Sequence, residues 1–434
     1  MENEHWSPRS TTAYESLKQL SKAVFQLIQK FLNLGETVPM ILKDKVTIEK
    51  DGAFSTTTEL APLWTRFAWK KKREIKALPE FVKCIESMLA DRVAQPIVPS
   101  DKDASKYVSN QYIFPFLLEI IRQVDSSRFN PLTFDDLYQE IEKSMYSPMR
   151  VFRAWSTLEN FSLPINNLPF ASNLRIRKFS HSEQEERLQQ ALQPLSRTRP
   201  IDVQRTYFAV EMEYGIPKVG VIDLKEPTEA FGRIVSALRL FKLGMVGLGP
   251  IHQKGAYWQP DLVGMVVGSS IYTAPFIGPT YELTEAEAGQ VVQFYNYLLT
   301  IDISGEHALE LAIRRFNLAY ERAMPADKLI DMMIAFEALL LPEKDELALR
   351  LSLRVANLLR NIANRQDIFK KMKKAYKLRS DTVHGSGTND KEISKSVQDM
   401  EELLRQSLRN VLKLIEQGQR LRHIISQLDD ATFN

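Results

Sequence analysis

Arg379 and His384 stand five positions apart in the run Tyr376-Lys-Leu-Arg-Ser-Asp-Thr-Val-His-Gly385. Histidine is the side chain whose ordinary pKa lets it take and give protons near neutrality. Arginine is a permanent cation whose fixed donors match the oxygens of a phosphate. Together they supply what cutting an RNA backbone without a metal requires. One group moves protons to or from the ribose 2′-OH and the leaving oxygen, and the other stabilises charge gathering on the phosphate. On an ideal helix the two side chains diverge by about 140°, so a single continuous helix places them awkwardly. The helix must therefore end at the motif, with Gly385 as its stop, or a second protomer must complete the site. The bare spacing is unspecific, since Arg175 and His181 nearly repeat it. Context has to decide.

A helical wheel over 367–384 puts Ile368, Met372, Ala375, Tyr376 and Val383 on one arc, with Arg379 in its middle and His384 at its edge. An inward arginine needs a partner, because desolvating an unpaired charge costs on the order of several kcal/mol. The segment from Pro325 offers one. Leu329, Ile330, Met333, Phe336, Leu340 and Leu341 define its apolar arc, and Glu337 lies inside that arc. An ion pair between Glu337 and Arg379 is the expectation; the alternative is that each snorkels at the rim of its own helix. Lys370, Lys373, Lys374 and Lys377 take the opposite side of the Arg379 helix. A basic face is usually only solvated, but beside a site for a polyanion it predicts phosphate contact.

Other chemistries find less support. The chain holds six histidines, no pair of them at metal-ligand spacing, and no Gly-x-Ser-x-Gly elbow. No metal and no cofactor are expected. Gly244, Gly247 and Gly249 lack the Gly-Lys-Ser/Thr of a phosphate loop and read as turn glycines. Trp64, Phe67 and Trp69 precede Lys70-Lys-Lys-Arg73 and Lys76, a mixture that could stack bases and hold phosphates. A helix with core aromatics and solvated lysines is the favoured reading there. His181 and His252 leave open an enzyme whose chemistry lies in 150–300.

The elements that must position these residues fall into three zones. The 434 residues suit two or three domains. Hydrophobic residues at 44% and charged residues at 26% exclude global disorder. The net charge of +3 does not mark a nucleic-acid binder, so any anionic partner must meet a local patch. The single cysteine, Cys84, excludes a disulfide framework. Zone 1–150 shows helix-period segments at 14–32, 78–93 and 112–124, with a turn at Asp51-Gly52. Zone 151–300 is mixed: strands at 173–178 and 205–214, helices at 182–192 and 231–243, and a further helix entering at 282–301. Zone 301–434 is a bundle of about four or five antiparallel helices, at 306–323, 325–341, 346–363, 367–383 and 390–417. The fold class expected is α+β overall, predominantly helical. The acidic start of the chain predicts no signal peptide, and the uncharged run 262–281 is broken by glycines and prolines and predicts no membrane helix. A cytoplasmic protein is the expectation.

Three blocks, in order, resemble the HEPN superfamily of helical ribonucleases, and in particular its Apea-like branch. They are Asp327-Lys-Leu-Ile-Asp331 running into Ala335-Phe-Glu-Ala-Leu-Leu340, Leu349-Arg-Leu-Ser-Leu-Arg-Val-Ala-Asn357, and the motif run 376–385. The resemblance spans about 305–420. It implies a metal-independent endoribonuclease whose site forms where two bundles meet in a homodimer, with Arg379 and His384 contributed by both protomers. Attack of the 2′-OH on the adjacent phosphate would leave a 2′,3′-cyclic phosphate, His384 serving as acid and base and Arg379 stabilising the phosphorane. Ser380 stands where the family carries a polar residue, often Asn, Asp or His. Asp381 either orients His384 or is solvated. The branch is associated with antiphage defence by abortive infection, so the resemblance also implies RNA as substrate and a phage-derived or cellular trigger sensed by the N-terminal region. Some relatives are non-catalytic, which makes a module that binds RNA, nucleotide or a partner protein the alternative.

Overall fold

The computed structural model describes residues 6–49, 53–90, 103–147, 149–192, 206–217, 224–257, 280–342, 346–384 and 389–431. Its N-terminal part begins with α1 (Thr11–Asn33), started by Ser10, whose hydroxyl accepts from the Ala13 N–H. A hairpin follows, β1 (Met40–Ile48) with β2 (Phe54–Pro62), paired from Met40↔Pro62 to Ile48↔Phe54; the Asp51-Gly52 turn lies outside the described residues. Short helices α2 (Trp64–Lys70), α3 (Lys72–Lys76), α4 (Pro79–Ala90) and α5 (Ala104–Val108) lead through a π turn into α6 (Phe114–Val124) and α7 (Pro131–Tyr146). Leu17, Leu20, Phe116, Ile120, Phe134 and Ile141 anchor their common core. The aromatic and basic cluster is only partly absorbed here, and the expectation of core aromatics is corrected at Trp69, which is 56% exposed near the C-terminal end of α2. Phe67 is buried, Lys71 meets Glu36 at 2.7 Å, and Lys72 lies over the rings of Trp69 and Phe114.

The middle part is built on a five-stranded antiparallel sheet, ordered β5 (Asn167–Ala171), β6 (Leu174–Lys178), β7 (Phe208–Pro217), β3 (Met149–Glu159) and β8 (Gly247–Gly255). A small parallel pair, β4 (Phe161–Ser162) with β9 (Tyr281–Glu282), stands beside it. Alternation sends Phe152, Ala154, Leu158, Val210, Met212 and Ile251 to one face, which the helices α9 (Lys225–Phe241) and α10 (Glu285–Thr300) cover. The other face carries charged and aromatic side chains, and helix α8 (His181–Ala191) starts beside it on a Ser180/Glu183 capping box. The glycine run requires a correction. Gly247 and Gly249 lie within β8 and not in a turn, because close strand packing leaves Gly249 no room for a side chain: a Cβ there would run into Thr157 Oγ1. Of these three glycines, Gly244 alone takes a conformation that favours glycine, at φ +147° against the Tyr281 ring.

The C-terminal part is all helix: α11 (His307–Ala319), α12 (Pro325–Leu340), α13 (Leu347–Leu358), α14 (Arg365–Val383), α15 (Asp390–Glu416) and α16 (Leu421–Asp430). Helix α12 is central, packing against α11, α13, α14 and α15. It buries Leu329, Met332, Met333, Phe336 and Leu339 together with the charged Lys328 and Asp331. Each buried charge is met: Lys328 by Glu401 at 3.2 Å, and Asp331 by Arg315 and Arg322 at 2.8 and 2.5 Å. The bundle is joined to the middle part through arginines. Arg405 and Arg409 of α15 donate to the carbonyls of Leu240 and Phe241, the free C-terminal acceptors of α9. Arg239 donates to the carbonyls of Val246 and Asn317. The protein is a predominantly helical α+β protein with three successive cores.

Candidate active site at the end of helix α14

Helix α14 starts where Asn364 accepts from the N–H groups of Gln366 and Asp367. It buries Ile368, Met372, Ala375 and Leu378 against α12, α13 and α15. The expected arc is corrected at its end: Val383 is 54% exposed and Leu378 takes the inward place. The stripe 368, 372, 375, 378 drifts around the helix, so the last turn has left the core by residue 383. The same drift sets Tyr376 and Arg379 half-buried at the rim of the packed face. Ile330, Glu337 and Leu341, placed inside the apolar arc of α12, are likewise half-buried along its open side.

The expected ion pair forms. Arg379 Nη2 lies 3.6 Å from Glu337 Oε2, with side chains 26% and 23% exposed. Arg379 Nε is buried and has no hydrogen-bond partner among the described residues. Tyr376, one turn earlier, shares the carboxylate. Burial first, then the Glu337 charge, raise its phenol above the ordinary pKa, while Arg379 pulls the other way. The Glu337 carboxylate is thus held between a phenol and a guanidinium.

His384 ends the helix. Its backbone has left the helical region (φ −87°, ψ 4°), its N–H donates to the Ser380 carbonyl at 3.0 Å, and its side chain is exposed. The helix therefore stops at the motif, and Gly385 lies outside the described residues. Ser380 and Asp381 are half-buried on the last turn. Among the described residues no hydrogen bond joins Asp381 or Arg379 to the His384 ring, and Thr382 Oγ1 is spent on the Leu378 carbonyl at 2.8 Å. Within one chain, then, the cation is seated beside α12 and the imidazole projects from the helix end.

Lys370, Lys373, Lys374 and Lys377 are all exposed on the opposite side of α14. Lys374 reaches Glu392 at 3.3 Å and the neighbouring Lys371 reaches Asp399 at 2.7 Å; Lys370, Lys373 and Lys377 form no ion pair among the described residues. Surface pairs of this kind hold little energy. Among the described residues, no group of three or more His, Cys, Asp or Glu side chains is placed to share a metal ion, and no helix is long and apolar enough to cross a membrane. Of the other histidines, His181 is exposed at the start of α8, 3.4 Å from Glu185, and His252 lies on β8 far along the chain from α14.

Tyr376 was visible in the sequence only as an apolar arc member; its role beside Glu337 follows from the rim position that the wheel could not resolve. Lys328 and Asp331 also sit inward on α12, among residues quoted above only for their pattern. An acid three residues after a lysine on an apolar helix was the available signal. No family profile, no curated protein and no solved structure matches this chain significantly.

Proposed function

We propose that the protein is a metal-independent endoribonuclease acting through Arg379 and His384, assembled as a homodimer through the C-terminal bundle. The observation that carries this is the pairing of roles at one helix end. A guanidinium is fixed by Glu337 with its Nε left without a partner, and an exposed imidazole stands at the terminus five residues on. In the reaction the ribose 2′-oxygen bonds to phosphorus and the bond from phosphorus to the 5′-oxygen breaks. One histidine accepts the 2′-OH proton, and a proton is returned to the leaving 5′-oxygen, giving a 2′,3′-cyclic phosphate and a 5′-OH end. Arg379 stabilises the charge on the equatorial oxygens. The diverging directions of the two side chains favour a site in which one protomer's Arg379 works with its partner's His384. The half-buried stripe Ile330, Glu337, Leu341 and Tyr376 is the surface on which a second bundle would rest.

The exposed lysine face of α14 supports RNA as the polyanion, through phosphate contacts that carry no sequence preference. An effector role in antiphage defence, working in the cytoplasm and restrained by the parts ahead of the bundle, is the biological setting proposed with it. The arginines that hold α9 to α15 give those parts a physical grip on the bundle. Purified protein is incubated with total RNA in EDTA, wild type beside His384→Ala. Chelator-resistant cleavage lost in the variant is the expected result. RNA binding without cleavage by the wild type selects the non-catalytic module, and cleavage that survives the substitution refutes the assignment.

A further inference from the structure

The face of the five-stranded sheet turned away from α9 and α10 is charged, and along most of its width the charges are matched. Arg153 meets Glu213 at 2.7 Å, Arg175 and Arg177 meet Glu211 at 2.5 and 2.6 Å, and Arg177 also meets Glu183 at 2.7 Å. At the β3/β8 end the pattern changes. Trp155 and His252 face each other in register, rings stacked at 5.4 Å and 19°, and Lys254 lies 5.5 Å from the centre of the Trp155 ring. Trp155 packs into none of the three cores. Trp155 and His252 are both half-buried on this polar face, so the pair joins no hydrophobic core yet leaves part of its surface open to something flat.

Lys254 is exposed and forms no ion pair among the described residues. Among the described residues, Arg187 of α8 donates to neutral groups alone: Gln184 Oε1 at 2.7 Å, and the carbonyl and hydroxyl of Thr206 at 2.8 Å each. Burial pushes its pKa down to about 10, against the opposing charges of Glu159 and then Glu183. Arg187 is near enough to His252 that its charge, after burial, lowers the imidazole pKa. In the sheet order β8 is the outer strand, so the Trp155–His252 stack ends at an edge.

We propose that the Trp155–His252 stack, with Lys254 beside it and Arg187 behind, is a nucleotide-binding platform on which a base stacks while the cations meet its phosphate. The geometry stands apart from α14 and the proposal does not depend on the nuclease assignment. The ligand chemistry is common to a free nucleotide and to a single-stranded RNA.

Both sources are tested on the full chain carrying His384→Ala, so that RNA stays intact. Titration calorimetry is run with ATP, with tripolyphosphate and with a ten-nucleotide single-stranded RNA. Lys254→Ala and His252→Ala are compared, each checked by thermal melting. ATP or the RNA binds, tripolyphosphate binds much more weakly, and each substitution weakens binding by roughly five- to a hundredfold, the range of a lost stacking or phosphate contact. ATP binding identifies a free nucleotide as the ligand, and binding of the RNA alone identifies a strand. Binding of neither, equal binding of tripolyphosphate, or affinities unmoved by both substitutions in chains that melt normally overturns the proposal.

Discussion

Replacing Glu337 by Gln removes one charge from the candidate site while keeping its shape. At the observed 3.6 Å, and with an effective dielectric near 20, the gross attraction between Glu337 and Arg379 is about 5 kcal/mol. Both side chains are about three-quarters buried, so desolvation offsets most of it and a net coupling of about 1–2 kcal/mol remains. The single variant should lose somewhat more, about 1–3 kcal/mol, because the guanidinium is left half-buried with an Nε that already has no partner. Urea unfolding of wild type, Glu337→Gln, Arg379→Met and the double variant closes a cycle that isolates the pair. A coupling of about 1 kcal/mol or more is expected. RNA cleavage by Glu337→Gln should fall by roughly ten- to a hundredfold, as a cation displaced by an ångström no longer meets the phosphate well. A coupling near zero, with undiminished cleavage, would refute the pair as both a structural and a positioning element.

The remaining predictions concern the scaffold. Asp429→Asn removes the carboxylate that takes two 2.7 Å hydrogen bonds from Arg354, a side chain 1% exposed, and should cost about 2–4 kcal/mol in denaturant unfolding; a loss under about 0.5 kcal/mol would contradict it. Gly249→Ala forces a methyl group onto Thr157 Oγ1 and close to Glu159 Oε1, and should destabilise by about 1–3 kcal/mol. Adding Thr157→Ala should recover part of that loss, and no recovery would place the strain elsewhere. At the start of α8, burial acts to raise the Glu183 pKa, but hydrogen bonds from Arg177 and the Ser180 N–H outweigh it and hold the carboxyl at about 2. A depressed carboxyl stabilises the fold above its unfolded pKa, so this contribution is complete above about pH 4.5 and is lost as pH falls toward about 2. The protection of the first-turn amides of α8, taken relative to their intrinsic exchange rates at each pH, should fall in that window, and not in Glu183→Gln; protection that is flat with pH would contradict the shift.

The bundle was the most legible part of the chain, because a 3.6-residue apolar period sustained over 16 to 27 residues leaves little choice of structure. The expected spans at 325–341, 367–383 and 390–417 lie within two residues of α12, α14 and α15 at each end. Strand β3, the one that pairs with both β7 and β8, went unread. Its alternation Phe152-in, Arg153-out, Ala154-in, Trp155-out breaks at a register shift between Ser156 and Leu158, where Ser156 and Thr157 are both buried. A period-2 pattern interrupted after about five residues falls below what spacing alone can resolve. The inward pair of Glu337 and Arg379 was legible, since each charge interrupts an apolar arc. The exposure of Val383 was not: wheel geometry ranks directions around a helix but does not say where along it the neighbouring helices end. Leu421–Asp430 was missed for its shortness, although Arg354 and Asn357 of α13 fasten it to the bundle.

Fragment ends report the chemistry that Arg379 and His384 are proposed to perform. An oligoribonucleotide is digested in EDTA, its fragments are weighed by mass spectrometry, and a matched oligonucleotide with 2′-deoxyribose at the cut position is run alongside. The account predicts 2′,3′-cyclic phosphate and 5′-OH ends from the first, no cut at the deoxy position of the second, and neither product from Arg379→Ala or His384→Ala. Fragments ending in 3′-OH and 5′-phosphate, or cutting at the deoxy position, would contradict it.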